Sequence, residues 1–256
     1  HREGGKMSEY IIIRVRRLSA IFIVPLVVEF GFFLFLVITK KSSNVLNFHG
    51  LWYIAAAATV FVVTAYQLIQ CYYAGNDSLW KILPYSKELL ALIDMVIYVI
   101  GTSVFGIVYQ LIQNAAAKHS FEWTTYVGEK LLSLFSLYLL ILAACSLFKN
   151  IQYPSVGRTL IAITTGIVIA LQVFLYFKIN GKNITSFMIG ISNVGDLKNL
   201  AYISVLPYVF FYVKQNQMLQ LVNTSLELNG IISISCLILF LVSAKLRKLN
   251  YIDLVG

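Results

Sequence analysis

Residues 72–94 read YYAGNDSLWKILPYSKELLALID and form a polar interruption between two apolar segments. Asp77 is a good N-cap for a short amphipathic helix. The apolar positions of that helix are Leu79, Trp80, Ile82 and Leu83. Pro84 ends it, because the proline ring removes a backbone donor and disfavours helical geometry at the preceding residue. Ser86 is placed to cap a second helix, with Glu88 in its first turn, that continues into the next apolar segment.

We call residues 72–90 the elbow. Two short helices that meet at a proline beside a bilayer suit the docking of another subunit, and we expect the Leu-Trp-Ile-Leu face of the first helix to be exposed for it. The alternative is an interfacial helix that rests on lipid headgroups.

The composition is that of a polytopic membrane protein. Hydrophobic residues make up 59% and charged residues 12% of the 256 residues, and the mean hydropathy of +0.80 lies far outside the usual soluble range. The net charge of +9 comes from basic residues at span ends and in loops, which indicates headgroup contact and topology rather than nucleic-acid binding. Three cysteines in or beside apolar runs, without metal-ligand spacing, are expected to be buried free thiols: Cys71, Cys145 and Cys236.

Six apolar segments are candidates for membrane spans, at about 20–39, 51–71, 90–113, 131–148, 157–177 and 230–246. The pattern predicts an all-α polytopic fold of six transmembrane helices, preceded by an amphipathic helix at residues 8–18. An even number of spans places both termini on one side, and the basic clusters Arg14–Arg17 and Lys245–Lys248 predict that this side is the cytoplasm.

The longest stretch between spans contains an apolar segment, residues 200–213, that is interrupted by Pro207. A helix of that length would reach only ~21 Å, short of a ~30 Å hydrocarbon core. Together with an amphipathic piece at residues 217–228, it predicts a re-entrant or interfacial helical hairpin at about 198–229. We expect residues 1–6 to be a remnant of an expression tag and residues 7–256 to form one transmembrane domain.

The elbow also carries a family resemblance. GNDSLWKILPYSKELLALID, Gly75 to Asp94, resembles a pattern of the permease subunits of ABC-2 type transporters: an acidic residue, a Leu, then Leu-Pro-x-Ser-[Lys/Arg] and an apolar run. The matching positions are Asp77, Leu79, Leu83, Pro84, Ser86, Lys87 and Leu89–Leu90. The order of an amphipathic N-terminal helix, six spans and a broken hairpin before the last span resembles the same family.

The resemblance implies a function and partners. In that family the loop after the second span docks on a separate ATP-binding subunit, which carries ATP and Mg²⁺, and two permease copies or paralogues enclose a path for cargo. The docking residues it implies here are Asp77, Leu79, Trp80, Ile82, Leu83, Pro84, Ser86 and Lys87. The chain has no Gly-x-x-x-x-Gly-Lys-[Ser/Thr] loop, so we expect no bound cofactor and no enzymatic activity of its own.

The short chain resembles the peptide-exporting branch of the family, which includes lantibiotic immunity exporters and exporters of phenol-soluble modulins. The expectation is therefore a multi-pass protein of the bacterial plasma membrane that exports amphipathic peptides. The alternatives are a permease for lipids or small-molecule antibiotics and a membrane scaffold without transport. An intramembrane enzyme is disfavoured, because Glu29 and Asp94 fall at different predicted depths.

Polar residues inside the predicted spans are the candidates for a cargo path: Glu29, Gln67, Gln70, Gln110, Gln113 and Gln172. Glu29 either faces that path or is a hydrogen-bonded carboxyl that holds two helices together. The glutamines either line a path for peptide backbones or join neighbouring helices. Asp94 is expected to favour the N-terminus of its helix. His49 and His119 are predicted to lie in outer loops.

Overall fold

The computed structural model describes residues 2–38, 43–75, 80–81, 83, 85–117, 123–151, 153–180, 212–215, 218–221 and 223–255. Most of these residues belong to six helices and one short strand pair, and Trp80 and Lys81 are also helical. The helices are α1 (Arg2–Ile38), α2 (Ser43–Tyr72), α3 (Lys87–Ala117), α4 (Trp123–Leu147), α5 (Pro154–Asn180) and α6 (Asn223–Val255), and the strands are β1 (Tyr212–Gln215) and β2 (Met218–Leu221).

Five of the six helices are long and apolar enough to cross a membrane by length and composition. They are α1, α2, α3, α5 and α6, and each covers a segment that the sequence predicts as a span. The sixth, α4, has a shorter apolar part, Leu131–Leu147. The prediction of a largely helical protein with several helices long and apolar enough to cross a membrane is therefore confirmed.

Helix α4 lies inside the bundle. It contacts α2, α3, α5 and α6, and most of its apolar side chains are buried. Helices α1 and α5 instead expose long rows of apolar side chains. This is the expected distribution when lipid covers the outside of a bundle, since lipid tails solvate apolar side chains as well as protein does.

Helices α1 and α2 form an antiparallel pair. Glu29 of α1 contacts His49 near the start of α2, and Arg14 of α1 contacts Cys71 near its end. The N-terminal amphipathic segment and the first predicted span are one continuous helix, with Pro25 inside it.

In the elbow one prediction is confirmed and one is wrong. Ser86 accepts the backbone N–H of Leu89 at 3.2 Å, so the predicted cap of α3 is confirmed. Trp80, expected on an exposed docking face, is buried, with 4% of its surface exposed. Asp77, Leu79, Ile82 and Pro84 lie outside the described residues.

The predicted hairpin before the last helix differs from the expectation where the structure describes it. Residues 212–215 and 218–221 pair as antiparallel strands, with Tyr212 opposite Leu221 and Gln215 opposite Met218. A helix begins only at Asn223. Residues 181–211, which include Pro207 and the rest of the predicted hairpin, lie outside the described residues.

Candidate functional site

The elbow is held to the bundle by a buried polar cluster, which we call the Arg14–Asp94 cluster: Tyr10, Arg14, Trp80 and Asp94. Arg14 Nε donates to both carboxylate oxygens of Asp94, at 2.9 and 3.0 Å, and Arg14 Nη2 also contacts Asp94 Oδ2. The side chains of Arg14 and Asp94 are 3% and 0% exposed. The carboxylate therefore neutralises a guanidinium that has been removed from water.

Two further hydrogen bonds connect this ion pair to the elbow. Tyr10 Oη donates to Asp94 Oδ1 at 2.7 Å, and Trp80 Nε1 donates to Tyr10 Oη at 2.9 Å. The chain of contacts runs from the elbow through α1 to α3. Displacement of Trp80 would therefore break a bond to α1 directly.

Helices α2, α4 and α6 also reach this end of the bundle. Arg14 Nη2 lies 3.1 Å from Cys71 Sγ of α2. Tyr72 contacts both Trp80 and Phe240 of α6, with ring centroids 6.5 and 5.5 Å away. Lys149, just after α4, places its Nζ 4.0 Å from the centroid of the Tyr72 ring, a cation–π contact.

The role predicted for Asp94 is incomplete. Asp94 lies two turns into α3, past the first turn where the helix dipole acts, and its carboxylate pairs with Arg14. The spacing of residues in α1 does indicate that Arg14 is buried, although this was not among the predictions. Tyr10, Arg14 and Leu18 recur every four residues, so they share one face of α1, and all three are buried.

The other residues of the predicted docking set differ in exposure. Leu83 is partly buried and packs against the main apolar core, whereas Lys81, Ser86 and Lys87 are exposed. The described outer surface of the elbow therefore carries Lys81, Lys87 and the apolar Leu89, whereas Trp80 and Leu83 face the bundle.

A second polar cluster lies near the other end of α1. His49 Nε2 is 2.5 Å from Glu29 Oε2, and both side chains are 0% exposed. The rings of Phe32 and Tyr109 flank the imidazole, with centroids 5.1 and 4.8 Å away. His49 belongs to α2, so its prediction as a loop residue is wrong; Glu29 fits the alternative in which a carboxyl holds two helices together.

The glutamines of the predicted path contact different helices in this subunit. Gln67 accepts from Tyr98 Oη of α3 at 3.4 Å, Gln70 accepts from Arg158 of α5 at 3.3 Å, and Gln172 donates to Asn229 of α6 at 3.0 Å. These contacts fit the alternative of interhelical hydrogen bonds. Gln110 and Gln113 lie in α3, and their side chains are outside the described set.

Within the described ranges, no three His, Cys, Asp or Glu side chains are grouped so that they could hold a metal ion. Comparison of the chain with protein-family models, with curated proteins and with solved structures finds no match in any of the three. What the chain does must therefore be inferred from its own residues.

Proposed function

We propose that this chain is the transmembrane permease subunit of an ATP-driven exporter, and that the elbow transmits the motion of a separate ATP-binding subunit to the helices. The observation that carries the proposal is the bond from Trp80 of the elbow to Tyr10, and through it to the buried Arg14–Asp94 pair. Through Tyr10, the elbow is hydrogen-bonded to an ion pair that joins two helices, so a displacement of the elbow would reach both helices.

The energetics favour rigid transmission through this cluster. Removing one partner of a buried ion pair typically costs ~3–5 kcal/mol, because the other charge is left uncompensated in a low dielectric. The pair therefore resists separation, and a force on the elbow moves α1 and α3 together. The exposed Lys81 and Lys87 are the described elbow residues that would meet an acidic groove on the ATP-binding subunit.

The same proposal includes a membrane topology of six spans, with α4 as the fourth. The apolar part of α4 is ~25 Å long at 1.5 Å per residue, slightly less than a ~30 Å hydrocarbon core. A central helix can be this short because protein, not lipid, covers most of it. Both termini then lie on one side, which the basic clusters assign to the cytoplasm.

The cargo we propose is an amphipathic peptide, moved out of a bacterial cell between two permease copies or paralogues. This assignment follows the resemblance of the short chain to the peptide-exporting branch of the family. Lipids and small-molecule antibiotics are the competing cargoes.

The experiment is co-purification of the chain in detergent with ATP-binding subunits expressed from neighbouring reading frames, followed by an ATPase assay. We expect a stable complex whose ATP hydrolysis is stimulated by amphipathic helical peptides. A complex that responds to lipids or antibiotics and not to peptides would replace the cargo and keep the permease. If no complex forms, the elbow is not a docking site and the proposed function is wrong.

A further inference from the structure

Glu29 and His49 are two ionisable groups fully buried between helices that are otherwise apolar. Placing such groups at membrane depth costs several kcal/mol by most estimates, and they normally mark a functional site. Their contact at 2.5 Å holds one proton between Glu29 Oε2 and His49 Nε2. With that proton shared, the pair has no net charge, whichever atom carries it.

Glu29 keeps a second acceptor. Its Oε1 is buried and has no hydrogen-bond partner among the described residues. A buried polar atom without a partner is uncommon in native proteins and requires an explanation. Here the space around it is closed, since neither residue is exposed, so the ligand must be very small.

The aromatic rings around the pair offset part of the cost of an extra proton, which burial otherwise disfavours. If Glu29 is a neutral carboxylic acid and His49 is an imidazolium, with a proton on both ring nitrogens, the pair has a net charge of +1. The imidazolium would lie between the faces or edges of Phe32 and Tyr109, and Tyr109 in turn stacks on Tyr53 with centroids 3.7 Å apart. Aromatic rings attract a cation when it is desolvated.

We propose that the Glu29–His49 pair is a proton-binding site, and that proton uptake loosens the outer part of α1 from α2. The proton comes from water, and no other reactant is needed. The ionisable groups that the described contacts bring to the pair are Tyr53 of α2 and Tyr109 of α3. A tyrosine normally ionises near pH ~10, well above the range in which a histidine switch acts.

The structure supplies a way for α1 to move. Pro25 lies one turn before Glu29 and removes the backbone hydrogen bond to Ile21, so α1 is weakened there. Beside it an apolar groove of ≈ 430 Å³ separates α1 from α2, lined by Val24, Pro25, Trp52 and Ala56 among others. A pair that gains a net charge is stabilised by water, and separation of the two helices at this groove would admit it.

The test is infrared difference spectroscopy of the full chain in phosphatidylcholine vesicles, on acidification from about pH 8 to about pH 5, where a histidine switch acts. We expect wild type to gain the C=O band of a protonated buried carboxyl, or the ring bands of an imidazolium if the shared proton already lies on Glu29. Glu29→Gln should lose either acid-induced change. The control is Glu227→Gln, the same substitution at an exposed carboxyl of α6, which should keep it.

His49→Gln gives a second, independent variant. Without the imidazole, Glu29 loses the partner with which it shares a proton. The acid-induced change of the pair should then be lost. If wild type and Glu29→Gln show the same acid-induced spectrum, or if His49→Gln titrates as wild type does, the pair is only structural and the proposal is wrong.

Separation of α1 from α2 is measured by the fluorescence emission of Trp52, which lines the groove between them. The part of the spectrum that is lost in Trp52→Phe identifies the emission of Trp52. We expect the Trp52 emission of wild type to shift to longer wavelength on acidification, as water enters, and the shift to be absent in Glu29→Gln. An equal shift in both proteins would contradict the coupling of the proton to α1. This inference does not depend on the proposed transport function.

Discussion

Arg14 and Asp94 are expected to be the most sensitive pair of polar residues in the protein. Asp94→Asn keeps the shape of the side chain but leaves the Arg14 guanidinium buried without its counter-charge. We predict a loss of roughly 3–5 kcal/mol in the free energy of unfolding, measured in detergent by thermal or denaturant unfolding. The control is Lys87→Gln, which also removes one unit of charge but from an exposed side chain. It should change the free energy of unfolding little. A small effect of Asp94→Asn would show that the pair does not hold α1 to α3.

Trp80 allows its hydrogen bond and its volume to be separated. Trp80→Phe removes the donor to Tyr10 but keeps an aromatic ring, so we predict a cost of ~0.5–1.5 kcal/mol. Trp80→Ala also leaves a cavity, and its cost should rise to ~3–5 kcal/mol. Equal effects of the two changes on unfolding would mean that the ring packing contributes nothing.

At this scale the sequence revealed residue types but not their partners. Glu29 and Asp94 stand out as carboxylates in apolar runs, yet His49 and Arg14 are 20 and 80 positions away. The separation between Glu29 and His49 can be understood afterwards. In an antiparallel helix pair, residues at similar distances from the connection lie at similar depth, and His49 was missed because its segment was predicted as a loop. The burial of Trp80 was not predicted, because helical periodicity identifies an apolar face but does not show whether that face packs against the same chain or against another one.

The elbow and the strand pair show what can be predicted for whole elements. The start of α3 followed from Ser86 and Glu88, because capping depends on a few neighbouring residues. The strands at residues 212–221 were not predicted. VKQNQMLQL alternates apolar and polar positions in parts, and short segments of this kind are compatible with either helix or strand.

For the elbow we predict a separation between docking and stability. Lys81→Glu and Lys87→Glu change exposed side chains, so they should leave the unfolding transition nearly unchanged. In a pull-down they should weaken association with the proposed ATP-binding subunit, since they reverse charge on the surface that we propose as its docking site. Lys245→Glu, on α6, is the matched charge reversal of an exposed lysine outside the elbow. Unchanged association of both elbow variants would place the contact elsewhere.

On the scale of the whole molecule, the two polar clusters lie ~22 Å apart along α1, from Arg14 to Glu29. One joins the elbow to α1 and α3, and the other joins α1 to α2 and Tyr109 of α3. Helix α1 is therefore attached to its neighbours at both ends of its apolar part. The apolar composition predicted the helical membrane fold, whereas the position of α4 inside the bundle depends on packing that a single sequence does not contain.

The number of spans gives a topology prediction. If α4 crosses the bilayer, there are six spans, and reporters fused to the two termini should be accessible from the same side of the membrane. Accessibility from the cytoplasm at both ends would agree with the basic clusters. Termini on opposite sides would mean that α4 does not cross and that the chain has an odd number of spans.

The central claim is that this chain moves cargo when a separate subunit hydrolyses ATP. The most direct measurement is reconstitution of the chain with its ATP-binding subunit in vesicles, with a fluorescent amphipathic peptide outside and ATP supplied on the side of the elbow. We predict peptide accumulation inside that requires ATP and both proteins, and that is reduced in Trp80→Ala vesicles with equal protein content. Peptide entry that is the same without ATP, or without this chain, would contradict the account.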